Sequence, residues 1–421
     1  MTVITKSTSG FKGSVLTLMT GAAIAQVMPI AVSPILTRLY SPADFGTLTL
    51  FISTIGVLAS ISTLRYELAI VQPDEEPDAV ALLLLSLLIS ASISILIMLL
   101  IMMFSDRFSE LFAVKGEAWL YCIPIGVFGS CAVQAIGYWH TRHQRFKYLS
   151  QSKIAQGIGT TVIQLGAALS HLGTGLILGY VGGIFISLYA LYRKIIIEKN
   201  EIIRSISISS VRKNALNYSN FPKYSVFGAL ADNLSLQMPV FMLTKFFDAH
   251  VTGSFGLTFR VLNLPLFLIA ASLSQVLYQR LAVMQHTAPD AVPKLIIKIF
   301  IILLSLMMPI IGIISLFGEP LFVFFFGEAW RFAGNMAGIL IFAVAIRFAV
   351  NPLSSVLALN QNVRLGVIWQ SIYFLTITST LYLFSNTSIN TFLKVFVAHE
   401  IILYILYLYF IFLGTKLRKR G

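Results

Sequence analysis

Four ionisable residues, Arg260, Arg347, Asp232 and Glu400, lie deep within long apolar stretches of the chain. A guanidinium is a permanent cation whose planar fork of donors matches phosphate or carboxylate oxygens. A carboxylate in apolar surroundings either neutralises a cation or takes up a proton, because desolvation disfavours its charged form. Charge at the centre of a membrane-spanning helix costs about 2.5–3.5 kcal/mol, so such groups are expected to face the interior of a helix bundle.

Each of the four has a distinctive setting. Arg260 is followed by Pro265, and Asn263, Ser274 and Tyr278 continue a polar stripe from it at helical spacing. A kinked helix offering a fixed cation is suited to an anion, so Arg260 and Asn263 are candidate substrate-binding residues. Arg347 stands one turn before Asn351 and Pro352, too deep to reach the surface easily. It either lines a cavity or forms a buried pair. Asp232, beside Asn233, Ser235 and Gln237, lies at a depth near that of Arg347, and either pairs with it or binds a proton. Glu400, next to His399, is a second candidate for coupling to an ion. Gln156, Thr160 and Gln164 recur every four residues on one helix face. Neutral amides and a hydroxyl suit sugar hydroxyls; hydrogen bonding between helices is the competing explanation. Arg38 and Lys245 close the first and seventh apolar stretches and are placed to ring an outer mouth or to anchor at lipid headgroups. Arg65 and Glu67 are expected to anchor at the cytoplasmic interface.

Enzyme chemistry finds no support in the residue pattern. No hydrolytic triad, phosphate-binding loop, dinucleotide fingerprint or His/Cys metal cluster is present, and no cofactor is implied. The acidic run Gln72-Pro73-Asp74-Glu75-Glu76-Pro77-Asp78 reads as a solvated turn. Cys122 and Cys131 are nine residues apart in one apolar run. On a helix that is about 13 Å and half a turn out of phase, which excludes a disulfide.

The elements that position these residues follow from composition. The chain is 57% hydrophobic and 11% charged, whereas soluble domains carry about 25% charged residues. Apolar runs recur at lengths that cross a bilayer core of about 30 Å as helices. Helices satisfy their own backbone in lipid, so an all-α integral membrane protein is predicted. Twelve transmembrane helices are expected, over roughly 13–38, 45–71, 78–104, 117–140, 151–171, 174–193, 219–247, 252–282, 293–317, 331–359, 365–385 and 389–413. The net charge of +13 lies mostly in alternate loops, which argues for a membrane topology and against nucleic acid. Arg142, Arg145, Lys147, Arg193, Lys194, Arg212, Lys213 and the tail Lys416–Arg420 fall on one side, while Arg38, Arg107, Lys115, Lys245, Arg331 and Lys394 fall on the other. Both termini are therefore expected in the cytoplasm. The N-terminus shows no signal-peptidase pattern. Prolines 29, 34, 124, 239, 265, 309 and 352 are expected to kink their helices, and Gly175, Gly179 and Gly183 form a seam for close helix packing.

The chain also repeats itself. Met28–Gly46 (MPIAVSPILTRLYSPADFG) aligns without a gap on Met238–Gly256 (MPVFMLTKFFDAHVTGSFG), and Glu117-Ala118-Trp119 recurs as Glu328-Ala329-Trp330. Both shifts are half the chain length. Two homologous six-helix bundles around a central cavity are expected. The lobes would be 1–194 and 218–421, with a polar cytoplasmic connector at 195–217 carrying a short surface helix.

Thr37–Gly46 (TRLYSPADFG), Arg65–Ala69 (RYELA) and Gly253–Gly256 (GSFG), on a six-plus-six helix pattern, resemble the O-antigen flippases. These are polysaccharide transporters of the multidrug/oligosaccharidyl-lipid/polysaccharide exporter superfamily. The resemblance implies a flippase that moves a polyprenyl-diphosphate-linked oligosaccharide, an O-antigen or capsule repeat unit, across the bacterial inner membrane by alternating access. Arg260 and Arg347 would then bind the diphosphate, with a proton gradient, a sodium gradient or the membrane potential as the driving force. Membrane lipids, a polysaccharide polymerase and a chain-length protein are the implied partners, and a monomer the expected state. The peptidoglycan-precursor flippases carry two further helices that are absent here. A cation-coupled multidrug exporter of the same superfamily is the alternative, and a membrane glycosyltransferase or polymerase the alternative from a different class.

Overall fold

The computed structural model describes residues 28–112, 117–170, 173–204, 207–287, 289–354, 356–357 and 363–416. Among these the secondary structure is entirely helical. The helices are α1 (Met28–Leu39), α2 (Pro42–Ala59), α3 (Glu76–Phe112), α4 (Cys122–Arg142), α5 (Phe146–Leu169), α6 (Gly175–Arg204), α7 (Ile208–Asn217), α8 (Val226–Phe246), α9 (Ala249–Thr287), α10 (Val292–Phe326), α11 (Arg331–Val350), α12 (Val363–Leu383) and α13 (Ile389–Lys416). The expected spans fall on α1–α6 and α8–α13, and α7 is the connector helix. Residues 13–27 of the first span lie outside the described residues. Eight helical segments pass for membrane spans on length and apolarity alone among the described residues. α5 and α12 have the length, but Gln156, Thr160 and Gln164 in one and Gln370, Ser371 and Thr376 in the other dilute their apolar character.

Contacts divide the chain into two compact units: Met1–Tyr40 with Thr47–Asn233, and Ser41–Gly46 with Leu234–Gly421. Within the first, α3 packs on α4, α4 on α6, and α5 on α6. Within the second, the helices seven places later repeat these neighbours, with α10 on α11, α11 on α13, and α12 on α13. The duplication read from Glu117-Ala118-Trp119 and Glu328-Ala329-Trp330 thus extends to packing. Both triplets form a 3₁₀ turn, and both tryptophans are buried.

The connector holds the end of α6 and the short helix α7. α6 continues to Arg204, and α7 is docked on α3. Asn214 donates to Asp78 Oδ1 at 2.8 Å, and the Tyr66 hydroxyl donates to the Ala215 carbonyl at 2.8 Å. The first compact unit continues past this helix to Asn233.

The stretch expected to anchor at the interface and the acidic run expected to be solvated are both held fast. α2 ends at Ala59, and the chain reaches a 3₁₀ helix, Tyr66–Val71, through Leu64 and Arg65 at positive φ. Glu67 is only 1% exposed. It accepts from the Thr63 hydroxyl and lies 3.4 Å from the Arg65 guanidinium. This pair is a buried internal link rather than an interfacial anchor, because the 3₁₀ helix folds back over the Val80, Leu82 and Trp139 core. The acidic turn is stapled from α4. Arg142 donates to the carbonyls of Ile70, Pro73 and Asp74, and His143 Nε2 meets Glu76 at 2.9 Å.

The prolines act unevenly. Pro239 and Pro309 lie inside α8 and α10, as does Pro320. Pro124 instead falls in the first turn of α4, where a missing N–H matters little. Pro352 falls in the 3₁₀ turn Asn351–Ser354 that ends α11. A break that no proline signals occurs at Phe104, with non-helical φ and ψ inside α3. The two cysteines are free.

Candidate functional site

The second unit buries a polar cluster around two of the four deep charges. Arg347, near the end of α11, is 9% exposed, and Glu400, midway along α13, is 0% exposed. Arg347 Nε donates to Glu400 Oε2 at 2.5 Å. The Tyr373 hydroxyl from α12 closes the ring, accepting from Arg347 Nη2 at 3.0 Å and donating to Glu400 Oε1 at 2.6 Å. Phe259 of α9 and Tyr404 of α13 place their ring centroids 5.3 and 5.7 Å from the guanidinium carbon, a cation–π arrangement. His399 completes the group, its Nε2 3.0 Å from the Thr376 hydroxyl and its Nδ1 3.8 Å from Glu400 Oε1.

Arg347 forms a buried pair in this arrangement. Its carboxylate partner is Glu400, so the charge is balanced inside the bundle. Removing a pair of charges from water is expensive unless hydrogen bonds satisfy what remains, and Tyr373 supplies those bonds. Asp232 lies half-buried on α8 in the first unit, next to Asn233, whose amide donates to the Ala229 carbonyl at 2.9 Å. Tyr373, Thr376 and Tyr404 escaped the sequence reading. Their signal was present, since an intramembrane charge pair requires further donors and acceptors on neighbouring helices.

Arg260 and Asn263 are half-buried on α9. Asn263 Nδ2 donates to the Phe259 carbonyl at 2.8 Å, and Ser274 Oγ to the Ala270 carbonyl at 2.8 Å. Tyr278, on the same stripe, is exposed. The neighbouring Phe255 and Phe259 stack on each other at 5.3 Å. Phe259 is the ring over Arg347, so the α9 face beside Arg260 is the packed one.

The α5 stripe lies at a helix–helix contact. Gln164, 5% exposed, donates from Nε2 to the Leu176 carbonyl at 2.9 Å. A Cβ added to Gly179 would come within 2.3 Å of Gln164 Cγ, and one on Gly183 within 1.9 Å of Thr160 Oγ1. The glycine seam of α6 is therefore filled by the polar face of α5. Gln164 and Thr160 are set as packing groups, and Gln156 contributes its carbonyl to the same seam. Arg38 and Lys245 are both exposed at the ends of α1 and α8, with Lys245 Nζ 5.6 Å from the Phe246 ring. Among the described residues no His/Cys/Asp/Glu group is arranged to hold a metal.

The sequence motifs also acquire a physical meaning. Within the second unit, Pro42–Gly46 crosses the first turns of α9 at backbone contact. A Cβ on Gly46 would fall 1.8 Å from the Ala249 carbonyl oxygen, and one on Gly253 would fall 1.8 Å from the Pro42 carbonyl oxygen. Phe45 packs edge-on against Trp330, with ring centroids 5.0 Å apart. Ser-Pro-Ala-Asp-Phe-Gly and Gly-Ser-Phe-Gly are thus two sides of one crossing, not separate loops.

A family model described as polysaccharide biosynthesis protein matches residues 35–333, a range that contains this crossing. The chain belongs to the polysaccharide biosynthesis protein family. No curated protein matches it. Solved structures share the fold of this family member at low identity. It is similar to the lipid II flippase MurJ in an inward closed conformation (TM-score 0.70, 12% identity, covering 94% of this chain and 86% of the other). It is also similar to a multidrug resistance MATE transporter of the MOP superfamily, seen inward-facing (TM-score 0.60, 15% identity, 96% of each chain) and outward-facing (TM-score 0.60, 13% identity, 97% of this chain and 96% of the other). The chain is therefore a multi-pass membrane protein with a transporter fold. The expected all-helical architecture is found among the described residues.

Proposed function

We propose that the chain is a flippase carrying a polyprenyl-diphosphate-linked oligosaccharide, such as an O-antigen or capsule repeat unit, across the bacterial inner membrane by alternating access. The observation that carries this reading is the match to the polysaccharide biosynthesis family across 35–333. The fold shared with a lipid II flippase supports it. A diphosphate needs cations at depth, and Arg260 on the partly exposed polar face of α9 has the donor geometry for it. Asn263 on the same face, Gln156 on α5 and Arg38 at the end of α1 are the further polar groups proposed to meet sugar or headgroup oxygens. Arg347 contributes by holding α11, α12 and α13 together, since its charge is already met by Glu400. Asp232, half-buried on α8, is the proposed ion-coupling carboxylate of the first unit. Both termini are assigned to the cytoplasm on the loop charges.

The multidrug exporters share the fold, so a second reading is efflux of organic cations. Such substrates call for acidic lining groups, and Glu400, the deepest carboxylate, is already paired with Arg347.

Reconstituted vesicles separate the two readings. Wild-type protein should flip a fluorescent polyprenyl-diphosphate saccharide, and Arg260→Ala should lose that activity while still inserting. Transport of an organic cation with no flipping of the saccharide carrier would overturn the proposal.

A further inference from the structure

The short helix α7 has two faces. Val211, Asn214, Ala215 and Tyr218 recur at helical spacing along one stripe. That stripe is the inner one. Asn214 is buried and bonded to Asp78, and Ala215 and Tyr218 pack against the core around Ile70 and Val80. The outer face carries Ile208, Arg212 and Leu216 one turn apart, with Lys213 beside them. All four are exposed, Ile208 by 89% and Leu216 by 67%. An aliphatic, a cation and a second aliphatic therefore succeed one another along one open strip.

The setting of this strip is the edge of the bilayer. The apolar span Phe221–Phe246 begins four residues after α7 ends at Asn217. Four residues reach at most about 14 Å, so the last turn of α7 stays close to the membrane boundary. Tyr224 and Phe227 are exposed at the start of that span, and aromatic residues favour headgroup depth. The local charge has one sign. Between Glu201 and Asp232 the chain has Arg204, Arg212, Lys213 and Lys223 and no acidic residue. At the start of α3, Asp78 is taken by Asn214 and Glu76 by His143. Lys147 on α5 and Arg193 on α6 are also exposed. They lie at neighbouring helix ends, since Lys194 Nζ is 5.1 Å from the Tyr148 ring.

We propose that the outer face of α7 is a docking surface for anionic lipid of the leaflet it borders. Ile208 and Leu216 enter the acyl region, and Arg212 and Lys213 hold the headgroup phosphates. A cation between two aliphatics suits this boundary, because its stem lies along lipid while its charge stays at the phosphate. A cluster of positive charge with no acid favours lipids of net negative headgroup over zwitterionic ones. The binding concerns bilayer lipid and does not depend on which substrate is carried.

The test places a bimane fluorophore on the full-length protein at Ile208→Cys or Leu216→Cys, in a background carrying Cys122→Ala and Cys131→Ala. The protein is reconstituted in phosphatidylcholine vesicles containing an equal fraction of either brominated phosphatidylglycerol or brominated phosphatidylcholine. Bromine on the acyl chains should quench both labels. Phosphatidylglycerol should be favoured by about fivefold, the worth of roughly one lysine or arginine near a membrane surface. Arg212→Gln with Lys213→Gln should bring that preference down to about one, and about 1 M salt should do the same by screening. Labels that escape both brominated lipids overturn the proposal. In that case, quenching by aqueous iodide would mean that α7 stands in water, and protection from iodide that protein covers it. Equal quenching by the two lipids in the otherwise unaltered protein overturns it as well, as does a preference that survives loss of both cations.

Discussion

Glu400 binds Arg347 through Nε at 2.5 Å, and Tyr373 spans the same two side chains from a third helix. Breaking one side of a buried pair leaves a stranded charge, which typically costs about 3–5 kcal/mol, whereas replacing both sides by apolar groups is often neutral. Arg347→Met and Glu400→Leu should each sharply lower the melting temperature in detergent. The double variant should recover most of the loss. Additive losses would mean that the two residues act separately.

The crossing at Gly46 and Gly253 gives a contrast within one helix. A methyl group at Gly46 would overlap the Ala249 carbonyl, whereas Gly56, also on α2, has nothing within 4 Å of an added Cβ. Gly46→Ala should abolish folded yield. Gly56→Ala should be neutral or stabilising by up to about 1 kcal/mol, the helix preference for alanine. Size-exclusion profiles and melting curves distinguish them.

Arg142 gathers three backbone carbonyls with one planar fork. Lysine keeps the charge but not the fork. Arg142→Lys should therefore loosen the Gln72–Glu75 turn, read as faster proteolysis there, with a stability loss of about 1–2 kcal/mol. An unchanged cleavage rate would remove the staple.

Gln164 makes its side-chain hydrogen bond within the α5–α6 seam. Gln164→Leu should lower stability by about 1 kcal/mol, the ordinary worth of such a bond. The saccharide concentration giving half-maximal flipping should be unchanged. A raised half-maximal concentration at unchanged stability would return Gln164 to the substrate site.

The loop charges set the last expectation. Single cysteines at positions 145 and 388, in a background lacking Cys122 and Cys131, should label from opposite sides of the membrane. Labelling from one side would break the assignment of the termini.

The all-helical membrane architecture, the succession of spans and the internal repeat were legible in the chain, because each rests on local properties. Apolar length decides whether a segment crosses lipid, and the duplicated Met-Pro, Glu-Ala-Trp and Phe-Gly residues register the two halves. Partners across helices were not legible. Depth along a helix gives only one coordinate of a side chain, and by depth Asp232 matched Arg347 as well as Glu400 did. Tertiary packing alone decided that Glu400 and Tyr373 meet Arg347, that Gln164 faces a glycine seam, and that Glu67 is buried rather than interfacial. The rotation of each helix about its axis, and the choice of its neighbours, are fixed by the summed contacts of many residues. No spacing along the sequence encodes that sum.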